Sequence, residues 1–134
     1  MPTTPKRRQA EPYVPSILVV DDDPLIRTSF RKILEEAGYF VRDASSGREA
    51  SKAASEWFVE VMILDLSMPH EDGFEVIRAV RRHTPSLKIL VVSEFMAGRM
   101  LPVAAKLGAH ATMHKADAPD RLLTTICGLL EQRA

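Results

Sequence analysis

Cysteine, net charge and long apolar runs are all scarce in this sequence. Cys127 is its one cysteine, which excludes an intrachain disulfide and makes a reducing cytoplasm the expected compartment. Eighteen basic residues balance eighteen acidic ones, which argues against binding to nucleic acid or to an anionic membrane through a global charge. The sequence shows neither the N-terminal apolar segment of a signal peptide nor an apolar run long enough to span a membrane.

Length and proline distribution predict one domain preceded by a short arm. A chain of 134 residues has the size of a single domain. Residues 1–15 contain four prolines and little that could pack, so we predict a mobile N-terminal arm there and a domain over 16–132. Lys6, Arg7 and Arg8 in the arm could contact an acidic partner, but a solvated tail is the simpler interpretation.

From Ser16 onward, apolar runs of strand length alternate with amphipathic stretches of helix length. The predicted strands are 17–20, 40–41, 59–66, 87–92 and 111–113. Runs such as VMILDL are apolar at successive positions, which is typical of strands covered on both faces in a parallel sheet. The predicted helices cover about 26–37, 47–57, 73–82, 97–107 and 118 onward, each with apolar residues at helical spacing.

Two of these helices carry more specific predictions. In the third, Phe74, Ile77 and Val80 are expected to be buried, while Arg78, Arg81 and Arg82 are expected to face outward. In the fourth, Pro102 predicts a late start or a local distortion, because proline is well tolerated only in the first turn of a helix.

Five strand–helix repeats with short connections predict an α/β fold. The expected architecture is a doubly wound (βα)5 three-layer sandwich around a parallel sheet. In such a sheet, ligands bind beyond the carboxyl ends of the strands, at the switch in strand order. We therefore expect the functional site at that end of the sheet.

Polar side chains stand at the carboxyl ends of four predicted strands. Asp21 to Asp23 follow the first strand, Asp65 lies inside the third apolar run, and Ser93 and Lys115 end the fourth and fifth. A buried carboxylate is costly unless it is paired, hydrogen-bonded or bound to a metal. Pairing of Asp65 with Lys115 or with backbone amides is the purely structural interpretation of this pattern.

The three consecutive aspartates divide into two kinds. Asp23 precedes Pro24, which suits the first position of a helix, so we expect Asp23 to cap the first helix. Asp21 and Asp22 then face Asp65 across the switch point. Two like charges 4 Å apart repel by about 4 kcal/mol at an effective dielectric near 20. A hard cation would relieve this repulsion, and an oxygen-rich, partly hydrated site suits Mg²⁺.

The motifs ILVVDD, ILDLSMPHEDG and ILVVS, followed by a lone lysine after the fifth run, resemble the receiver domain of bacterial two-component response regulators, the CheY-like family. The resemblance covers Ser16 to about Gln132. It implies the flavodoxin-like form of the (βα)5 fold, with strand order 2-1-3-4-5, and it implies that Asp65 is the phosphoacceptor. The other implied roles are Mg²⁺ binding by Asp21, Asp22, Asp65 and the Ser67 backbone carbonyl, switching by the Ser93 hydroxyl, and pairing of Lys115 with the phosphoryl group.

The resemblance also implies the chemistry and the partners. A phosphohistidine on a sensor kinase or a histidine phosphotransfer protein would donate its phosphoryl group to Asp65, giving an aspartyl phosphate. Mg²⁺ and Lys115 would neutralise the phosphoryl oxygens. Phosphorylation would then change binding of a downstream protein at the face formed by helix 4, strand 5 and helix 5. We expect a signalling domain rather than an enzyme, monomeric or weakly homodimeric, with no nucleic-acid or membrane partner.

Two positions depart from the family pattern. Thr112 stands three residues before Lys115, where the family usually has an aromatic residue that swings inward on activation, so a switch by aromatic rotation is in doubt. Ala116 stands where the family has a proline in a cis peptide. Because a cis bond before a non-proline residue costs about 2.5–4 kcal/mol, we expect a trans link or a reshaped loop through 117–119.

Three alternatives remain open. Asp21-x-Asp23 resembles the nucleophile motif of haloacid-dehalogenase-like phosphatases, although Pro24 and Leu25 depart from that motif. A receiver-shaped interaction module working without phosphorylation would explain the two departures, and a phosphorelay intermediate would pass its phosphate on. No output segment follows Ala134, so we expect a stand-alone receiver or a fragment of a longer regulator.

Several other residues have weaker interpretations. On a strand, His110 and His114 would lie about 13 Å apart at about 3.3 Å per residue, too far to share a zinc ion. His70 is expected to be a solvated loop residue. Phe95, Met96 and Met100 would either fill the core or form an adaptable contact surface.

Overall fold

Five strands alternate with five helices in the part of the chain that the structure, a computed structural model, describes: residues 13–94 and 97–132, without the side chains of 97–101. The strands are β1 (Ser16–Val20), β2 (Phe40–Ala44), β3 (Val61–Asp65), β4 (Lys88–Ser93) and β5 (Ala111–His114). The helices are α1 (Pro24–Glu36), α2 (Gly47–Glu56), α3 (Gly73–His83), α4 (Ala97–Lys106) and α5 (Ala118–Glu131), with a 3-10 helix over Lys115–Asp117. Most of the predicted arm, residues 1–12, lies outside the described residues, as do Phe95, Met96 and the side chain of Met100.

The strands form one parallel sheet in the order β2-β1-β3-β4-β5. This confirms the predicted fold class. The chain moves outward from β1 to β2 and then crosses to β3 on the other side of β1, so the switch in strand order lies between β1 and β3. Val20 pairs with Leu64 in that register, which places the residues following both strands at the same edge of the sheet.

The sheet is covered on both faces because the central strands are apolar at successive positions. In β1, Leu18 and Val20 pack into the core on the side of α2 and α3. Ile17 and Val19 pack into the core on the side of α1 and α5. Burial of one Leu, Ile or Val side chain contributes about 1.5–3 kcal/mol, so these two cores hold the carboxyl ends of the strands in fixed positions.

Helix α1 begins and ends as the sequence predicts. The Asp23 carboxylate accepts a hydrogen bond from the backbone N–H of Leu25 at 2.9 Å, and Pro24 occupies the first helical position. Beyond the end of α1, Gly38 has a φ of 97°, in the left-handed region where glycine avoids the penalty of a Cβ atom.

The largest differences from the predicted elements concern β2 and α4. β2 extends to Ala44 because polar residues are tolerated on this edge strand, where Asp43 stays partly exposed. Of the two alternatives predicted for α4, a late start or a local distortion, the late start is wrong, since the helix begins at Ala97 with Pro102 inside it. Proline removes one intrahelical hydrogen bond, but the helix continues past it while Ala104 packs fully buried against the sheet.

Arg81 on α3 does not face outward, contrary to the prediction from helical spacing. Its guanidinium donates hydrogen bonds to the backbone carbonyls of Pro85 and Leu87, both at 2.7 Å, and to that of Gly108 at 2.9 Å. The side chain therefore ties the α3–β4 connection to the turn before β5. Partial burial lowers the pKa of Arg81. No local pattern predicts this role, because the carbonyl acceptors belong to loops.

Candidate functional site

Three carboxylates meet where β1 and β3 end. Asp21, Asp22 and Asp65 each offer an oxygen, and these oxygens all lie within 4.8 Å of one another. Asp21 and Asp65 are buried, at 1% and 2% exposure, whereas Asp22 is exposed. The cluster is therefore open to solvent on the side of Asp22. Its arrangement follows from the topology, because the two strands are neighbours at the switch in strand order.

Lys115 bridges the two buried carboxylates. Its Nζ atom lies 3.0 Å from Asp21 Oδ2 and 3.3 Å from Asp65 Oδ2. Partial burial alone would lower the pKa of Lys115, but its ion pairs with Asp21 and Asp65 outweigh burial and raise it. The ammonium therefore stays charged at neutral pH and faces both buried carboxylates.

The pKa of Asp21 is raised within this cluster. Burial raises its pKa, and the charge of Asp65 adds to this effect, while the N–H of Asp23 and the Lys115 ammonium oppose it. Among the described residues, Asp21 Oδ2 has no well-aligned hydrogen-bond donor, even though Lys115 lies beside it. A buried carboxylate oxygen in this condition is costly, and an oxygen-only donor set of this kind fits a hard divalent cation.

The backbone around the cluster is fixed by hydrogen bonds to these same side chains. Asp21 Oδ1 accepts the N–H of Asp23, and Asp65 Oδ1 accepts the N–H of Ser67, both at 2.9 Å. The Arg27 guanidinium donates to the backbone carbonyl of Asp21 at 2.7 Å. Each buried aspartate therefore has one oxygen oriented by its own loop and the other turned toward Lys115.

Two serine hydroxyls, one in the loop after β3 and one at the end of β4, contact each other. Ser67 Oγ is 3.2 Å from Ser93 Oγ, and it also accepts the backbone N–H of Glu94 at 3.3 Å. Ser93 ends β4 and is 2% exposed. The loop after β3 is thereby joined to the start of the β4–α4 connection.

The loop after Lys115 has the trans geometry expected from Ala116. No peptide bond is cis in the described ranges, and the chain forms a 3-10 helix whose first residue is Lys115. His114 caps it by accepting the N–H of Ala116 through Nδ1 at 3.2 Å. Thr112 lies on β5 and is partly buried.

Among the described residues, no histidine belongs to a candidate metal group. His110 Nδ1 accepts the N–H of Ile89 at the amino end of the sheet, whereas His114 caps the 3-10 helix at the carboxyl end. His70 is exposed in the loop after Asp65 and has a φ of 64°. A cleft of about 350 Å³ bordered by Phe58 and Lys88 also lies at the amino end. This cleft is therefore separate from the carboxylate cluster, and the candidate site is identified by its charged side chains rather than by the shape of the surface.

The structure brings Asp21, Asp22, Asp65 and Lys115 together and places Ser67 and Ser93 at their side. Sequence reasoning missed two residues that support them. One is Arg27, described above. The other is Glu71, whose carboxylate accepts the N–H of Gly47 at 3.1 Å and so ties the loop after β3 to the start of α2. An arginine in the first turn after an acidic run was a usable signal for Arg27, whereas Glu71 acts across 24 residues.

Comparisons with known proteins agree with this geometry. Residues 17–127 match the response regulator receiver domain family. The chain is 31% identical to the chemotaxis protein CheY of Thermotoga maritima, over 82% of this chain and 92% of that protein. A CheY-like receiver domain protein of Methanospirillum hungatei superimposes with a TM-score of 0.85 at 27% identity, over 90% of this chain and 97% of the other.

One further solved structure was obtained in a complex. The response regulator TrrA of Thermotoga maritima, in complex with Mg²⁺ and BeF, superimposes with a TM-score of 0.78 at 30% identity, covering 87% of this chain and 99% of TrrA. The chain spans about half the length of two other curated relatives, the transcriptional regulators ExaE (56%) and GltR (49%) of Pseudomonas species.

The chain therefore belongs to the response regulator receiver domain family. It is a phosphoacceptor signalling domain of two-component systems. Receiver domains interact with histidine kinases and with downstream targets. Within the described ranges, the structure contains no helix with the length and apolarity needed to cross a membrane.

Proposed function

We propose that this receiver accepts a phosphoryl group on Asp65 from a phosphohistidine donor, in a reaction that requires Mg²⁺, and that phosphorylation changes its binding to a protein partner. The observation that carries this proposal is the position of Asp65. Its carboxylate is buried at the end of β3, 3.3 Å from the Lys115 ammonium and next to Asp21 and Asp22. A nucleophile, a positive charge and a metal-binding set thus share one site.

The residues present supply most of the chemistry. A carboxylate oxygen of Asp65 forms a bond to phosphorus while the phosphorus–nitrogen bond to the donor histidine breaks, and the departing imidazole keeps the bonding pair and takes up a proton. Lys115 remains protonated, because its pKa is raised, and neutralises a phosphoryl oxygen. The Ser93 hydroxyl donates a hydrogen bond to another.

The site residues fit Mg²⁺. The ligands we propose are the carboxylates of Asp21, Asp22 and Asp65 with the backbone carbonyl of Ser67. When bound, the ion would neutralise charge on the transferring phosphoryl group. The buried Asp21 Oδ2, which lacks a well-aligned donor among the described residues, supports this assignment.

The proposed output follows from the same site. Engagement of Ser93 by the phosphoryl group would move the β4–α4 connection and alter the face formed by α4, β5 and α5. Partners would be a sensor histidine kinase or histidine phosphotransfer protein and a downstream protein, with the receiver monomeric or weakly homodimeric and cytoplasmic. The receiver would occupy residues 16–132 behind an arm at 1–15, and it would assist its own phosphorylation and dephosphorylation.

The test is labelling with acetyl phosphate, followed by intact mass. We expect a Mg²⁺-dependent gain of one phosphoryl group that is lost in Asp65→Asn and kept in Asp120→Asn, a matched control at an exposed aspartate of α5. Amide hydrogen exchange should change after Ser93 and around Thr112. A labelled Asp65→Asn protein would mean that the phosphoacceptor is another residue.

A second candidate function is a receiver-shaped interaction module that works without phosphorylation. Thr112 on β5 and the 3-10 helix at Ala116 favour it, because both depart from the family's switch. Folded protein that binds Mg²⁺ but takes no label would support this candidate. Labelling without any change in hydrogen exchange would instead indicate a phosphorelay intermediate.

A further inference from the structure

The hydroxyl pair formed by Ser67 and Ser93 joins two loops that the switch must separate or reshape. Ser67 makes three contacts: its N–H donates to Asp65 Oδ1 at 2.9 Å, its Oγ lies 3.2 Å from Ser93 Oγ, and its Oγ accepts the N–H of Glu94 at 3.3 Å. One residue therefore contacts both the acceptor carboxylate and the first residue after β4.

A hydroxyl has a single proton and two lone pairs. Either hydroxyl can be the donor of this pair. Once Ser93 donates its proton to a phosphoryl oxygen on Asp65, it can no longer donate to Ser67, and a movement of Ser93 toward Asp65 lengthens or reorients the contact. Ser93 is 2% exposed, so bulk water is poorly placed to replace a partner. The free energy of the hydroxyl pair is then part of the cost of engaging the phosphoryl group.

The N–H of Glu94 adds to this cost. Its bond to Ser67 Oγ fixes the backbone at the point where the β4–α4 connection leaves the sheet. A movement of Ser93 toward Asp65 shifts the neighbouring peptide and strains or breaks that bond as well. Both contacts favour the resting arrangement, in which no phosphoryl group is bound.

We propose that the Ser67 side chain is a positioning residue that holds Ser93 and the start of the β4–α4 connection in the resting arrangement, and so weakens the binding of a phosphoryl group. The proposal rests on the proposed function, in which Ser93 engages the phosphoryl group. The two parts of Ser67 then have opposite effects on phosphoryl binding. The backbone carbonyl would bind the metal ion and favour it, whereas the hydroxyl stabilises the resting arrangement and opposes it.

The test is a ¹⁹F NMR titration with beryllofluoride, a phosphoryl analogue, in the presence of Mg²⁺. Ser67→Ala removes the hydroxyl and keeps the carbonyl, and we expect beryllofluoride to bind about 2- to 10-fold more tightly, the range that one neutral hydrogen bond supplies. Ser67→Thr keeps a hydroxyl and should return the affinity toward that of the wild type. Ser29→Ala, at an exposed serine of α1, should change nothing.

Two further measurements test this role of Ser67. In a Ser93→Ala background, the gain from Ser67→Ala should disappear, because the effect runs through the Ser93 hydroxyl. In the unliganded protein, the Glu94 amide should exchange faster in Ser67→Ala than in the wild type or in Ser67→Thr. Faster exchange of the Glu94 amide would also follow from a merely structural role, because Ser67 Oγ accepts that N–H. Only the loss of the gain in the Ser93→Ala background distinguishes positioning from such a role.

The outcomes distinguish the two proposals. A wild-type protein that binds Mg²⁺ but not beryllofluoride would overturn the proposed function and the role of Ser67 with it. If the wild type binds beryllofluoride and Ser67→Ala binds equally or more weakly, the role of Ser67 alone is overturned. The same holds if the tighter binding persists in the Ser93→Ala background.

Discussion

Charged side chains are compensated in different ways at the two ends of the sheet. At the amino end, the Arg81 guanidinium is satisfied by three backbone carbonyls. At the carboxyl end, Asp21, Asp22 and Asp65 stand against one another with Lys115 as the bridging cation. The first arrangement stabilises the fold, whereas the second concentrates negative charge whose mutual repulsion a divalent cation would relieve. The carboxyl end is therefore the end that we expect to change when a ligand binds.

Removal of the amino-end contacts should have the largest effect on stability. Arg81→Met keeps much of the aliphatic length but loses three charge-assisted hydrogen bonds, and we expect the free energy of unfolding to fall by about 2 kcal/mol. Urea unfolding measures this loss. Arg82→Met, at an exposed neighbour on the same helix, should stay within about 0.5 kcal/mol of the wild type.

Labelling of the same variant sharpens the comparison. Folded Arg81→Met should still accept a phosphoryl group from acetyl phosphate, because Arg81 lies at the opposite end of the strands from Asp65. Loss of labelling in a fully folded variant would show that the two ends are coupled and that the amino end is more than a structural support.

At the carboxyl end, the expected change has the opposite sign. Burial raises the pKa of Asp21, so the folded state binds protons more tightly than the unfolded state does. The resulting loss of stability is complete above the raised pKa and vanishes as the pH falls below the unfolded value. Asp21→Asn should therefore raise the urea midpoint at pH 7 without metal, and this gain should shrink as the pH is lowered.

Added Mg²⁺ should reverse that order. The wild type gains stability by binding the ion, while Asp21→Asn, which lacks one of the proposed ligands, gains less. The measurement is the urea midpoint of both proteins with and without Mg²⁺ at pH 7. A lower midpoint for Asp21→Asn in the absence of metal would mean that the ion pair with Lys115 outweighs the cost of burying the carboxylate.

The same contrast explains what could be predicted from sequence. The apolar periodicity of the strands predicted a parallel sheet and the edge that holds the site, because burial on two faces leaves a local pattern, whereas the strand order came with the family resemblance. Asp23 as a helix cap was predictable because Pro24 follows it directly. These features depend on neighbouring residues or on the fold class as a whole.

The features that the sequence did not predict depend on distant partners. Helical spacing predicted that Arg81 faces outward, because no neighbouring residue indicates that the carbonyl of Gly108 lies beside it. Pro102 predicted a late helix start or a local distortion, because proline removes one hydrogen bond of the helix. The burial that outweighs this loss depends on tertiary packing. The contact of Ser67 with Ser93 likewise joins two loops that only the parallel sheet brings together.

Backbone strain gives the smallest expected effect and belongs to the carboxyl end. His70 has a φ of 64° in the loop between Asp65 and α3, a left-handed conformation that costs a non-glycine residue about 1 kcal/mol. His70→Gly removes this cost but gives the unfolded chain more freedom, so we expect a net gain of about 0.5 kcal/mol by urea unfolding. The same change at His83, in the last turn of α3, should lower stability by up to about 1 kcal/mol, because glycine is a poor helix former. A loss of stability at both positions would mean that the His70 side chain contributes contacts that outweigh its strain, and that the loop beside the phosphoacceptor is more firmly held than its backbone conformation indicates.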